Sequence, residues 1–212
     1  MKALIIGATG ATGKDLVNVL LQDPDYKKVA VFVRRSIGII HPKLSEHIVD
    51  FDNLEEVSES IKGDVWFSCL GTTLKAAGSK EKHWHIDYEI PVRFAQIAKR
   101  NGIRNVVLLS SYGALPESTV FYLKVKGRLE EQIASLSFDK YIIFRPGILL
   151  RKDTDRFGER FAAGLLNFTN RLGLFKKFRP MPTSTLAGKM AKAPKVLNAG
   201  KQIIERDEIF GF

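Results

Sequence analysis

Short apolar runs alternate along this chain with longer stretches in which apolar residues recur every third or fourth position. Residues 2–6 form an apolar run that ends at glycine and predicts a buried strand. Residues 12–21 place Leu16, Val17, Leu20 and Leu21 on one helical face, and Asp23-Pro24-Asp25 stops that helix. Residues 29–33 are a β-branched run, and 46–49 a weaker strand. Asn53 is expected to cap a helix through Ile61, with Glu55 and Glu56 in its first turn. Residues 64–70 predict a fourth strand, and 84–100 a long helix closed by Asn101-Gly102. A fifth strand at 105–109, a helix at 121–134 and a sixth strand at 140–144 follow. Beyond them, 157–170 and 186–197 read as helices and 201–205 as a last strand.

Strands separated by helices of this length imply right-handed crossovers and a parallel sheet covered on both faces. The expected class is α/β: a doubly wound, mostly parallel Rossmann sheet with its ligand crevice at the carboxyl ends of the strands. No repeat or low-complexity linker divides the chain, so 1–212 reads as a single domain. Its part from about residue 150 is expected to form a small substrate-side appendage.

Composition narrows the classes. No apolar run approaches the roughly 18 residues of a membrane helix, and the run after Met1 is too short for a secretory signal. The single cysteine, Cys69, excludes an internal disulfide framework and leads to the expectation of a cytoplasmic protein. Cys69 and the four histidines lack zinc-ligand spacing, so no metal site is expected. Charge is uneven: residues 1–139 carry 18 Lys and Arg against 17 Asp and Glu, residues 140–212 carry 15 against 6. That basic last third reads as a solvated surface, as a reader of a phosphate-bearing small substrate, or as a contact for an acidic protein partner. Nucleic acid is disfavoured, because no basic–aromatic recognition motif accompanies the charge. Monomer and homodimer are both compatible with the pattern.

The chemistry starts at Gly7-Ala8-Thr9-Gly10-Ala11-Thr12-Gly13, between the first strand and the first helix. Glycines there allow a tight turn and close approach of backbone to a pyrophosphate, whose charge faces the helix N-terminus. A phosphate loop of the NTPase type is excluded, since it would need glycine where Ala8 stands and Ser or Thr where Asp15 stands. A dinucleotide is therefore expected. An NAD-specific protein places an acid at the end of the second strand to hold the ribose 2′-hydroxyl. Here Arg34-Arg35 stand at that point, Arg34 being 21 residues past Gly13. Two guanidinium groups suit a 2′-phosphate, so NADP(H) is expected in preference to NAD(H).

Tyr122 and Lys126 lie one helical turn apart, and no other tyrosine here has lysine four residues later. A tyrosine hydroxyl ordinarily titrates near 10, and a neighbouring ammonium favours its phenolate, which makes such a pair a proton donor and acceptor. Ser110-Ser111, at the end of the fifth strand, falls where the crevice of this fold lies.

These motifs, with Cys69-Leu70-Gly71-Thr72-Thr73 and Phe144-Arg145-Pro146-Gly147, resemble the atypical short-chain dehydrogenase/reductases. Within them the chain is similar to the group around the Tat-interacting protein oxidoreductase, clearly to Leu150 and thinly beyond. The resemblance implies that Tyr122 is the general acid/base and that Lys126 assists it and holds the nicotinamide ribose. It implies Ser111 as the hydroxyl on the substrate carbonyl, with Ser110 as the alternative one register away. Thr9, Ala11 and Thr12 would contact the pyrophosphate beside the glycines, and Asp50 and Phe51 the adenine. Leu70, Gly71 and Thr72 would line the cofactor, and Pro146, Gly147 and Ile148 would cover the nicotinamide side. The implied activity is hydride transfer to or from a small carbonyl or alcohol. The alternative is an NADP(H)-binding redox sensor that acts through a partner with little turnover, as several atypical relatives do. Three features are set aside. His83 and His85 would face different ways on a helix, Cys69 reads as a packing residue, and the hydrolase motif Gly-x-Ser-x-Gly is absent.

Overall fold

The computed structural model describes residues 1–150 and 179–212. Seven parallel strands make one sheet: β1 (Lys2–Ile6), β2 (Lys28–Val33), β3 (Leu44–Ile48), β4 (Val65–Ser68), β5 (Asn105–Leu109), β6 (Lys140–Arg145) and, near the C-terminus, β9 (Gly200–Glu205). Their order across the sheet is β3-β2-β1-β4-β5-β6-β9. Strand order reverses beside β1, which opens the crevice above the β1 and β4 carboxyl ends. A separate two-stranded ladder joins β7 (Leu149–Leu150) to β8 (Met181–Pro182).

The strand side chains alternate between two apolar layers, the period-2 consequence of the pleat. On one face Ile5, Val31, Phe67 and Ile142 pack with Leu16, Val17 and Leu20 of α1 (Ala11–Gln22) and with Leu186 and Met190 of α6 (Thr183–Val196). On the other, Leu4, Phe32, Trp66 and Ile143 pack with Phe94 and Ile97 of α4 (Ile90–Arg100) and with Leu129 and Ile133 of α5 (Phe121–Ser135). Fully buried strands need helices on both sides, and this is what makes them near-continuous apolar runs. The chain end belongs to the same layers. Tyr26 donates from its buried hydroxyl to the Ala191 carbonyl (2.8 Å), and Thr183 donates to Asp15 (2.6 Å).

Two expected helices differ in ways that bear on the site. Asn53 caps nothing: it sits at φ −120°, ψ 44° in a kink inside a tight 3₁₀ stretch, Phe51–Ser60. Asp50 is the cap instead, because its carboxylate accepts the Asp52 amide (3.0 Å) and the Asn53 side-chain amide (2.8 Å). The helix expected from Trp84 starts earlier, as α3 (Lys80–Trp84), capped by Ser79 and preceded by the short α2 (Leu74–Ala77). A π-turn, His85–Glu89, joins α3 to α4. Such a turn widens the helix by one residue and re-aims the side chains on it. The helix read at 157–170 lies outside the described residues.

Candidate functional site

The glycine loop closes on itself. Gly7 turns at φ +82°, where a side chain is strained, and its carbonyl accepts the Gly10 amide (3.0 Å). A Cβ on Gly7 would lie 2.5 Å from the Cys69 carbonyl carbon and the Leu70 nitrogen. One on Gly13 would lie 2.1 Å from the Gly7 oxygen. Gly10 begins α1 with no side chain capping its amides, which leaves the helix N-terminus open to an anion. Gly10, Ala11 and Thr12 line a cavity together with Gly71, Thr72 and Lys126. Gly7, Thr9, Arg34, Arg35 and Phe51 line the next, and Arg34, Asp50, Phe51 and His85 a third. Leu70 borders all three, so they form one cleft across the strand ends.

Arg34 and Arg35 are exposed at the end of β2, and neither has an acidic partner among the described residues. At the opposite end of the cleft stand Tyr122 and Lys126 on α5. The Tyr122 ring is 37% exposed, and the Lys126 ammonium lies 5.9 Å from its centroid. Lys126 itself is buried and ion-paired to the buried Asp87 (3.1 Å), with the Leu70 carbonyl at 3.3 Å. Burial pulls the Lys126 pKa down, but the Asp87 charge, helped by Tyr122 and Glu130, outweighs it, and the net shift is upward. Lys126 is thus held as an ammonium ion. Close packing sets the helix that carries it: a Cβ on Gly127 would lie 2.2 Å from the Leu115 carbonyl carbon.

Ser110 borders the cavity, whereas Ser111 is not among the residues lining it. The Ser110 hydroxyl donates to Glu130, whose carboxylate is gripped by Arg145 (2.5 and 3.0 Å); Arg145 also reaches Glu205 at 2.8 Å. The hydrogen bonds to Glu130 come first among the causes that hold Arg145 charged, against its partial burial. Ser111 makes only a long contact to the Tyr112 carbonyl (3.4 Å), so its proton is free to be donated. Past β6, Pro146 is buried, with its carbonyl taken by the Tyr112 amide, and Ile148 points outward at 38% exposure. Leu149 is the residue of this segment that lines the cavity. Burial pushes the Cys69 thiol up to about 12, against the Lys126 charge, which leaves it a neutral packing group.

The motifs do not point to Asp87 or Glu130, and His83 is one of the features set aside. His85 turns outward to Asp52 (2.9 Å) and Glu89 (2.8 Å), as the helical spacing required. His83 turns inward to lie 1% exposed against Tyr122. Nothing in the local sequence distinguishes these buried polar groups from surface ones. The partners of Asp87 and Glu130 come from other elements.

Residues 7–166 match the family model described as NAD(P)H-binding. The chain belongs to this NAD(P)H-binding family. It is 36% identical to "Protein FMP52, mitochondrial" of Candida albicans over 198 residues, 90% of this chain and 86% of that protein. It is 37% identical to "Protein HTATIP2" of Rattus norvegicus over 150 residues, 69% of this chain and 62% of that one. Among solved structures it resembles the oxidoreductase ylbE from Lactococcus lactis (TM-score 0.70, 19% identity, 95% of this chain and 89% of that one). Family and fold agree: this is an NAD(P)H-binding protein with a Rossmann-type fold. The cytoplasmic expectation is corrected by the relatives named as mitochondrial proteins. It rested on one cysteine, and a lone buried thiol reports at most a reducing environment, not which compartment supplies it.

Proposed function

We propose that this protein is an NADP(H)-dependent oxidoreductase acting on a small carbonyl or alcohol, with Tyr122 as its proton donor and acceptor. The carrying observation is that Tyr122, with the Lys126 ammonium beneath it, lines the same cavity as the glycine loop. The cleft fits a dinucleotide: glycines stand where a Cβ would strike backbone, and an uncapped helix end faces the space. When bound, the dinucleotide supplies or accepts the hydride. In the reducing direction Tyr122 gives its proton to the carbonyl oxygen as the carbon is reduced, and the Lys126 charge stabilises the phenolate left behind. Lys126 also donates to the nicotinamide ribose hydroxyls. The Gly10–Gly13 turn binds the pyrophosphate, and Arg34 and Arg35 the 2′-phosphate. Thr9, Leu70, Gly71 and Thr72 wall the cofactor, and Asp50 and Phe51 border the adenine. Pro146 and Ile148 frame the nicotinamide side through Leu149. The test is an NADPH titration followed by a carbonyl panel read as NADPH oxidation. Binding without any turnover would favour the second reading, a cofactor-sensing regulator with a protein partner on its basic C-terminal region. That reading is supported by the charge excess from residue 140 onward.

Two predictions separate the roles inside this site. Arg34→Ala should weaken NADPH binding about tenfold or more, the scale of a lost charged hydrogen bond, and leave NADH nearly unchanged. Fluorescence titration of both cofactors checks this, and equal losses would remove the phosphate from Arg34. The serines differ by their partners. Ser111→Ala should lower kcat about tenfold or more while sparing the fold, because its hydroxyl is uncommitted. Ser110→Ala should instead lower the melting temperature, since it removes a donor from the buried Glu130 carboxylate. The reverse pattern would assign the substrate contact to Ser110.

A further inference from the structure

The π-turn swings one acid from the α3–α4 connection in against α5. Asp87 is 0% exposed, and its two oxygens are divided: one accepts the Thr72 amide (2.7 Å), the other holds Lys126 (3.1 Å). One turn earlier, His83 places its Nε2 3.6 Å from the oxygen that holds Lys126. Neither ring nitrogen of His83 has a hydrogen-bond partner among the described residues. Its ring packs on Phe121 (5.4 Å) and Tyr122 (6.0 Å). A buried imidazole with both nitrogens unpaired costs free energy that an apolar side chain of similar size would not. Its placement beside a shared carboxylate gives that cost a use.

We propose that His83 is a proton-responsive positioning residue: neutral, it leaves the Asp87 oxygen to Lys126, and protonated, it draws that oxygen to itself and slackens the grip on Lys126. The charged and titratable groups around it are few. Asp87 faces it from its own helix. Tyr122, Lys126 and, one turn further, Glu130 face the cluster from α5, and Lys80 sits over the Phe121 ring (5.6 Å). Asp87 is the nearest of these charges, so protonating His83 acts first on the pair that positions Lys126. The inference rests on Lys126 holding the cofactor, as proposed above.

The linkage has a definite sign. If the bound cofactor needs Lys126 held in place, NADPH favours neutral His83, so binding lowers the His83 pKa and affinity falls as pH falls through it. NADPH affinity is measured from about pH 7.5 to about pH 5.5 for wild type and for His83→Gln and His83→Phe. The wild type should lose about fivefold more affinity over that span than either variant, which cancels the titration of His85 and of the cofactor phosphate. In parallel, the wild-type His83 imidazole is followed by NMR, its signal assigned by elimination with His41→Gln, His47→Gln and His85→Gln. It should titrate at lower pH in the NADPH complex than in the free protein. Identical His83 titration with and without NADPH overturns the proposal even if the His83 variants fold poorly, and so does parallel loss of affinity in all three proteins. Lys126→Met separates the two layers. If it binds NADPH like wild type, both the Lys126 reading and this inference fall. If it binds weakly while His83 in the wild type ignores NADPH, only this inference falls.

Discussion

Gly13→Ala is expected to abolish measurable NADPH binding and to lower the melting temperature by roughly 10 °C, the consequence of about 3 kcal/mol of overpacking. The added Cβ would sit 2.1 Å from the Gly7 oxygen and 2.8 Å from the Gly7 carbonyl carbon. Both are backbone atoms, so no side chain can rotate away. The Gly7 carbonyl is already fixed by the Gly10 amide (3.0 Å), and Gly7 itself abuts Cys69 and Leu70 at the end of β4. Relief can come only if α1 moves off the sheet, which displaces the amides that face the pyrophosphate. Gly10→Ala is the internal control. Gly10 sits at φ −74°, which any residue adopts, and its Cβ would be 3.3 Å from the Gly7 oxygen, a contact that a small shift relieves. It should keep most of the stability and a weakened affinity. Thermal melts and NADPH titration on the two variants check the contrast. Gly13→Ala binding within about threefold of wild type would mean that this turn does not approach the cofactor.

Tyr122→Phe is expected to lower kcat by about a hundredfold or more, the scale of a removed general acid, with NADPH affinity unchanged. The ring packs against His83 and lies over the Lys126 ammonium, and phenylalanine keeps both contacts. The hydroxyl is what disappears, and on a ring 37% exposed to the cleft its loss leaves no buried partner unsatisfied. Melting temperature should therefore hold within a few degrees. Steady-state rates on whichever carbonyl the panel identifies, beside a cofactor titration, give the answer. A variant that turns over at the wild-type rate would transfer the proton role to another group, with the uncommitted Ser111 hydroxyl next in line.

The sheet and its cofactor edge were legible in the chain because their signals are local. Apolar runs mark β1, β2, β5 and β6. The glycine spacing 7–10–13 follows directly from a strand turning into a helix, and Arg34-Arg35 must emerge where β2 ends. The helix signals were weaker where side chains compete for the backbone. Asp50, Asp52 and Asn53 all offer oxygens near one helix start, and it is Asp50 that accepts from both of the others. At the other end of that segment the Asn101 side-chain amide binds the Ser58 and Ile61 carbonyls, a tie that no pattern within residues 51–60 announces.

By itself, then, the sequence determined the α/β class, the glycine loop, the arginines at the end of β2 and the tyrosine–lysine turn. Each of these is a pattern within about one turn or one strand. Tertiary structure alone decided what surrounds Lys126 and Ser110. Asp87 lies 39 residues before Lys126, and Glu205 lies 60 after Arg145, yet each is an ion-pair partner. Such pairs form because a π-turn and the parallel ordering of β5, β6 and β9 bring buried and part-buried charges together, where an unpaired charge is more costly than at the surface. Neither condition is written in the spacing of the residues concerned.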